Sequence, residues 1–277
     1  SAKILATGCA VQLEPDRFRA MPEVDRIQLK DFTRPTVSAG FLGHVRSFVS
    51  VQTGCDHRCT FCSTRQARGP SRSMPFEAIR DAVPAELDKG AREVVLTGVD
   101  ITSYEDGLGT LCQRLLAAEP RLQRLRLSSL DSIEIVEPLF ELIAGEPRLM
   151  PHFHLSLQSG DDMILKRMKR RHSRADAVRM VERIKTARPD ATIGADLIAG
   201  FPTETEEMAE NSRTLLDDCD IIAAHVFPFS PRPDTPAARM PQVDRATIKS
   251  RAGRLREAAA ARRSAWLDSL VGITQPV

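Results

Sequence analysis

The chain has 277 residues, 42% of them hydrophobic, with 39 basic against 37 acidic side chains and a formal net charge of +2. That length suits about one or two domains, and an α/β barrel of this size can form a single one. The charge balance excludes nucleic-acid binding through bulk charge, six cysteines in so long and apolar a chain exclude a disulfide scaffold, and no apolar run approaches the about 18 residues of a membrane span. The N-terminus lacks the charged-then-apolar pattern of a targeting peptide, so a soluble cytoplasmic protein with no membrane partner is expected.

Residues 1–40 read as the end of one unit plus a linker. Ser1 to Thr7 is strand-like and stops at the Gly8 turn, and Pro15, Pro22 and Pro35 leave no long amphipathic pattern. A strand opening at the first residue suggests a chain that is part of something longer. From about Gly43 a β-then-α rhythm sets in, with strands predicted at 45–52, 93–98, 123–129, 152–158, 192–199 and 221–229. Helices are expected near 75–89, 108–118, 137–144, 161–187 (as two) and 204–217, and an Arg/Ala-rich one over 244–270. Pro75 suits the first turn of its helix, and Thr203 with Glu206 has the form of a capping box. Strands alternating with helices imply parallel pairing with right-handed crossovers, here an α/β fold in the form of an open (β/α)6 barrel over residues 41–277.

Several strands alternate apolar and polar residues at period two. Arg46, Ser50 and Gln52 share one face, with Val45, Val49 and Val51 on the other. Arg124, Arg126 and Ser128 oppose Leu125 and Leu127, and His152, His154, Ser156 and Gln158 oppose Phe153, Leu155 and Leu157. Asp196 faces the same way as Gly194. Helices must cover the apolar face, so the polar one is expected to line a wet lumen suited to a large polar cofactor. A sheet with one face in water is the alternative.

Cys55, Cys59 and Cys62 lie in one short loop directly after the first of these strands, spaced C-x-x-x-C-x-x-C. Three thiolates can hold three irons of a [4Fe–4S] cluster and leave the fourth open, since full protein ligation takes four cysteines. The alternative is a structural zinc site with His57 as a fourth ligand, although zinc motifs usually come as two separated pairs. Cys112 and Cys219 fall in or beside helical patterns and read as core thiols.

The run Val51-Gln52-Thr53-Gly54-Cys55-Asp56-His57-Arg58-Cys59-Thr60-Phe61-Cys62 resembles the signature of radical S-adenosylmethionine (SAM) enzymes. In those enzymes SAM chelates the open iron and is split by one electron, with the radical chemistry carried by the cofactor. Four more segments fall at strand ends, where barrel active sites sit. They are Thr97-Gly98-Val99-Asp100, Gln158-Ser159-Gly160-Asp161, Gly194 to Thr205, and His225 to Pro233. Across nearly its whole length the chain is similar to the methylthiotransferases, most of all to those acting on N6-threonylcarbamoyladenosine beside the tRNA anticodon. Leu127-Ser128-Ser129-Leu130-Asp131-Ser132, Pro151 to Gly160 and Ala195-Asp196-Leu197-Ile198-Ala199-Gly200-Phe201-Pro202 carry that likeness.

The resemblance implies cluster and radical chemistry at Cys55, Cys59 and Cys62. It implies SAM contacts from Phe61, Thr97, Gly98, Asp100, Ser128, Ser156, Gln158, Asp196, Gly200 and Pro228. It also implies a second [4Fe–4S] cluster in an N-terminal domain, of which Thr7-Gly8-Cys9-Ala10 matches the segment bearing one ligand, Cys9. An electron donor such as flavodoxin or ferredoxin and the tRNA anticodon loop are the implied partners. The basic run containing Arg167, Lys169, Arg170 and Arg171 either contacts RNA phosphates or is a solvated helix surface. The long helix with Arg251 reads as a packing helix with a charged face, and Trp266 as an anchor. Asp234, in Ser230-Pro231-Arg232-Pro233-Asp234-Thr235-Pro236, stands where the family pattern has glycine, a tolerable change unless the backbone needs positive φ. Acceptors other than threonylcarbamoyladenosine are isopentenyl-adenosine or a ribosomal aspartate, and a zinc-stabilised RNA-binding module is the non-catalytic alternative.

Overall fold

The computed structural model describes residues 2–29, 37–38 and 45–274. The expected unit boundary at 40/41, Pro35, Gly43 and the last three residues lie outside them. In the N-terminal part, β1 (Leu5–Thr7), α1 (Cys9–Leu13), α2 (Pro15–Arg19) and β2 (Arg26–Gln28) form a small layer in which β1 and β2 pair in parallel. A short β3 (Val37–Ser38) then pairs antiparallel with β4 (Arg46–Ser50).

Beyond β4 come β5 (Gln52–Thr53), α3 (Thr64–Arg68), β6 (Arg72–Ser73), α4 (Phe76–Asp88), β7 (Glu93–Thr97) and α5 (Leu108–Ala118). The chain continues through β8 (Leu125–Leu127), α6 (Glu137–Gly145), β9 (His152–Gln158), α7 (Asp162–Met168) and α8 (Arg174–Ala187). It closes with β10 (Thr192–Ala199), α9 (Glu206–Asp218), β11 (Ile221–Pro228) and α10 (Arg245–Ser269). Strands β4, β7 and β8 pair in parallel and in chain order, as do β9, β10 and β11. A parallel bridge between Leu130 and Leu155 joins the two groups, giving the expected open six-stranded barrel.

Local chemistry sets the helix starts. Asp161 accepts from the Ile164 N–H, Ser173 and Asp176 form a reciprocal capping box, and Asp244 accepts from Thr247. The cap of α9 is Thr205, which accepts from Met208, rather than Thr203, whose backbone sits at φ 67°. Pro75 is the residue immediately before α4 rather than inside its first turn.

Apolar strand faces meet the helices in one core that includes Val49, Leu96, Leu125, Leu155, Leu197 and Ile221. The alternation holds on β9, where Phe153, Leu155 and Leu157 are buried while His152, His154, Ser156 and Gln158 keep partial exposure. Two apolar positions around β4 depart from it by being exposed. Val45 precedes the ladder and is 57% exposed, and Phe48, on the lumen side with Arg46 and Ser50, is 43% exposed. Cys112 and Cys219 are buried free thiols. Helix α10 buries Arg251, which donates to Glu204 at 3.0 Å, and Trp266 is partly buried near its end.

Asp234 does occupy the left-handed region, at φ 62°. Aspartate tolerates this conformation better than most residues, but at a cost of up to about 1–2 kcal/mol that glycine avoids. Asp234→Gly is therefore expected to raise the melting temperature by a few degrees, about what 1 kcal/mol gives. An unchanged or lower value in a thermal melt would show that the carboxylate compensates for the strain.

Candidate functional site

Val51 ties the top of β4 to two neighbours: its N–H donates to Thr97 O and its carbonyl accepts from Met74 N–H, both at 2.9 Å. The β5–β6 ladder then closes residues 54–71 into a loop that leaves the barrel rim and returns beside its own start. Gly54 makes that closure possible. It sits at φ +75°, and a Cβ there would lie 1.9 Å from Pro70 O. The Cys55 N–H donates to Gly69 O at 3.2 Å, and Cys62 N–H to Cys59 O at 3.3 Å. Thr60, between the last two cysteines, is held from the other side of the barrel. Its N–H donates to Met168 O, its hydroxyl to Arg167 O, and its carbonyl accepts from Ala237 N–H.

The Gln52 side chain binds this loop to the next strand end. Its Nε2 donates to Thr53 O, Gly54 O and Ser71 Oγ at 3.1, 2.9 and 2.9 Å. Its Oε1 accepts from Val99 and Asp100 N–H at 3.0 and 2.8 Å. Gly98 lets the strand end approach so closely, since a Cβ there would fall 2.8 Å from Gln52 O. Asp100 then turns toward the thiols: Oδ2 lies 2.7 Å from His57 Nε2 and 3.9 Å from Cys55 Sγ. Burial pushes the Asp100 carboxyl up, but hydrogen bonds and charge from His57, with the Thr102 hydroxyl and Arg171, hold it below its usual value.

Cys55, Cys59 and Cys62 open onto one cavity of about 160 Å³, lined also by Asp100, Ser156 and Gln158. Phe61 and Gln158 separate it from an adjoining hollow of about 260 Å³ that contains Asp196, Ile198 and Pro228. Burial pushes Cys55 up to about 12, and raises Cys59 despite the Arg170 guanidinium 3.8 Å from its sulfur. Such thiols become thiolates when a cation compensates them, which iron does. Cys55, His57 and Asp100 present atoms within 4.8 Å of one another, close enough for one small ion, but that group leaves Cys59 and Cys62 unused. Among the described residues the three sulfurs do not form a group lying within 4.8 Å of one another, a spread that suits a polynuclear centre rather than one small ion. The residues present thus fit a [4Fe–4S] cluster with one iron unclaimed by cysteine among the described residues.

The other expected contacts divide. Phe61 packs edge-on to Phe201 at 6.3 Å between centroids and lines both hollows, and Ser156, Gln158, Asp196 and Pro228 line one or the other. Thr97 is a ladder residue whose carbonyl is taken by Val51. Ser128 donates its N–H to Leu96 O, and it is Ser129 that lines the thiol cavity. Gly200 is buried against Ile248 and donates its N–H to Glu204 Oε1 at 2.9 Å, so it shapes the turn without lining either hollow.

The basic run is parted by the fold. Arg170 turns inward with its side chain 8% exposed, donating to Asp131 Oδ2 at 3.0 Å and Ser156 O at 2.9 Å beside Cys59. It is a clamp on the thiol loop and not a surface available to RNA. Arg167 is partly buried and donates to Thr203 O, while Arg171 pairs with Glu134 and Asp131 at the rim. Lys169 ends α7 in the left-handed conformation and stays exposed. Cys9 opens α1, and its sulfur accepts from Arg68 Nε of α3 at 3.2 Å, tying the N-terminal layer to the thiol loop. Sequence reasoning missed Gln52 as a linker and Arg170 as a clamp. A long polar side chain next to Thr53-Gly54-Cys55, where the strand leaves the ladder, was the available signal for Gln52.

The sequence pattern of the radical SAM superfamily matches residues 49–216. The threonylcarbamoyladenosine tRNA methylthiotransferase MtaB of Rickettsia prowazekii is 45% identical over 92% of this chain and 68% of its own length. The enzyme of the same name from Thermotoga maritima is 35% identical, over 87% of this chain and 62% of its own. The tRNA-2-methylthio-N(6)-dimethylallyladenosine synthase of Ehrlichia chaffeensis is 34% identical over 93% and 58%. The chain therefore spans about three-fifths to two-thirds of these relatives. Among solved structures, the radical SAM methyltransferase TsrM of Kitasatospora setae superposes with a TM-score of 0.59 at 18% identity, covering 69% of this chain and 38% of that one. Coproporphyrinogen III oxidase HemN of Escherichia coli, a radical SAM enzyme, gives 0.54 at 13%, covering 76% and 52%. With its thiol loop at the rim of an open parallel barrel, the chain belongs to the radical SAM superfamily and, within it, to the methylthiotransferase family.

Proposed function

We propose that this chain catalyses methylthio transfer to C2 of N6-threonylcarbamoyladenosine beside the anticodon of tRNA. The observation that carries the chemistry is the convergence of three thiols on a cavity that shares Phe61 and Gln158 as walls with a second, part-apolar hollow. The acceptor rests on the relatives of that name, one of them 45% identical over 92% of the chain. When bound, the [4Fe–4S] cluster and SAM supply one-electron chemistry able to act on a carbon that offers neither a leaving group nor an acidic proton.

The protein's part is holding and orienting. Cys55, Cys59 and Cys62 hold the cluster, with Arg170 and Asp100 as the charges nearest the sulfurs. Phe61, Ile198, Pro228 and Phe229 form an apolar wall suited to the adenine of SAM, with Gln158 and Asp196 as polar groups on the same hollow. The Thr97–Asp100 turn is assigned to the amino acid end. Cys9 is assigned to the second cluster, beside the thiol loop through Arg68, and a flavodoxin- or ferredoxin-type protein to electron delivery. Lys169 and Arg171, with Lys166 exposed on α7, are assigned to the tRNA backbone.

Nucleoside mass spectrometry of tRNA from cells lacking the protein tests this. Threonylcarbamoyladenosine should accumulate without its 2-methylthio group while the isopentenyl series stays fully methylthiolated. Loss confined to the isopentenyl series would assign the other acceptor, and loss in neither would overturn the function.

A further inference from the structure

Below the cavity, the lumen holds a group of cations that SAM and cluster binding leave unused. Arg46 Nε on β4 and Arg126 Nε on β8 both lie 2.6 Å from the same oxygen, Glu93 Oε1 on the intervening β7. Two guanidiniums share one carboxylate, so that triplet carries one positive charge over, and the neighbouring Asp196 carboxylate is taken up separately by His154 and His225. The carboxylate side chain is 5% exposed, whereas those of Arg126 and Arg46 are 20% and 52% exposed, so the cations and not the carboxylate stay open to solvent.

Two rings stand beside them. His152 Nδ1 lies 2.9 Å from Thr192 Oγ1, and His154 Nε2 lies 3.0 Å from Asp196 Oδ1. Gly194 leaves the room they need: a Cβ there would sit 2.6 Å from His154 Nδ1 and 3.2 Å from His152 Nε2. Burial, together with Arg126, His154, Arg46 and His225, holds His152 down at about 4. The ring is neutral at physiological pH, and the positive character of the floor comes from the guanidiniums.

We propose that this floor, Arg46 and Arg126 over Glu93 with His152 and His154 alongside, receives a carboxylate carried by the acceptor base. The inference rests on the acceptor proposed above, whose threonine arm ends in that group. Arginine offers a carboxylate a planar fork of donors, and the surplus charge of the pair supplies the attraction. Arg126 lies two residues below Ser128, Arg46 four below Ser50, and His154 and His152 four and six below Gln158, so at about 3.3 Å per residue the floor spans roughly 7–20 Å beneath the rim, with Arg126 as its upper edge. The C2–H bond and the N6 substituent of adenine diverge, so a base presenting C2 to the rim sends its N6 arm away from it. An isopentenyl arm would strand the same charges against hydrocarbon. The floor therefore selects between acceptors that share the chemistry above it.

The test compares anticodon stem-loops carrying threonylcarbamoyladenosine, its carboxyl methyl ester, or isopentenyl-adenosine, with the reconstituted holoenzyme and SAM. Both binding and methylthio product are measured. The acid should bind at least about tenfold tighter than the ester, the loss expected when one charge-assisted pair is removed. Arg126→Gln and Arg46→Gln should erase that preference and Arg126→Lys restore part of it. Equal binding of acid and ester by the unaltered protein overturns the inference even where the acid is methylthiolated. Product only from the isopentenyl loop overturns the acceptor assignment instead. Because the acid–ester comparison needs no variant, a misfolded substitution does not blur the result.

Discussion

Cys59→Ala is expected to remove the bound iron–sulfur cluster and lower reductive SAM cleavage by at least about 10³-fold, because no electron path to SAM remains. Cys59 is the middle ligand of the triad, its carbonyl accepts from Cys62 N–H, and Arg170 stands 3.8 Å from its sulfur. Two thiolates cannot hold three irons, so the broad visible absorption and the iron content should fall together. Cys9→Ala should behave differently. Its sulfur lies at the start of α1, against Arg68 and outside the triad cavity. That variant should keep the triad cluster and SAM cleavage and lose methylthio insertion. Retained iron and SAM cleavage in Cys59→Ala would refute the assignment of the triad.

Most of the barrel was legible because its strands speak at period two and its helices at 3.6 residues per turn. The expected strand at 192–199 is the observed one, and 221–229 misses by one residue. Where the chain departs from regular pairing, sequence patterns lost their grip. The alternation continued Gln52 into the lumen face, but the strand stops at Ser50 and a new ladder begins, so its amide is buried 1% exposed between two loops. Arg170 reads as one more charge in a basic run. Only the left-handed turn at Lys169 swings it inward onto Asp131 and Cys59. Ser128 and Gly200 lay close to the site in sequence, but one follows β8 with its N–H spent on Leu96 O and the other is a buried turn. Their neighbours Ser129 and Phe201 meet the cavity and the apolar cluster beside it.

Gln52→Leu should be as damaging as losing a ligand, although Gln52 touches no sulfur. Leucine fills a similar volume and removes all five hydrogen bonds of the amide at once. Val99 and Asp100 N–H, both part-buried, are then left without the acceptor that turned them inward; a fully buried orphan costs about 1–3 kcal/mol, so the pair together costs at most about 2–6 kcal/mol. The loss falls on the joint between the Cys55 loop and the Asp100 turn, so the two sides of the cavity should slip relative to each other. A melting temperature lowered by several degrees, a reduced iron content and a raised KM for SAM in whatever protein remains folded are expected. Gln52→Glu isolates the donor side, because it keeps an oxygen for Val99 and Asp100 but turns an acceptor toward Thr53 O and Gly54 O. It should lose iron as well. Either variant retaining full iron and an unshifted melt would show that the ladders hold the loop without the amide.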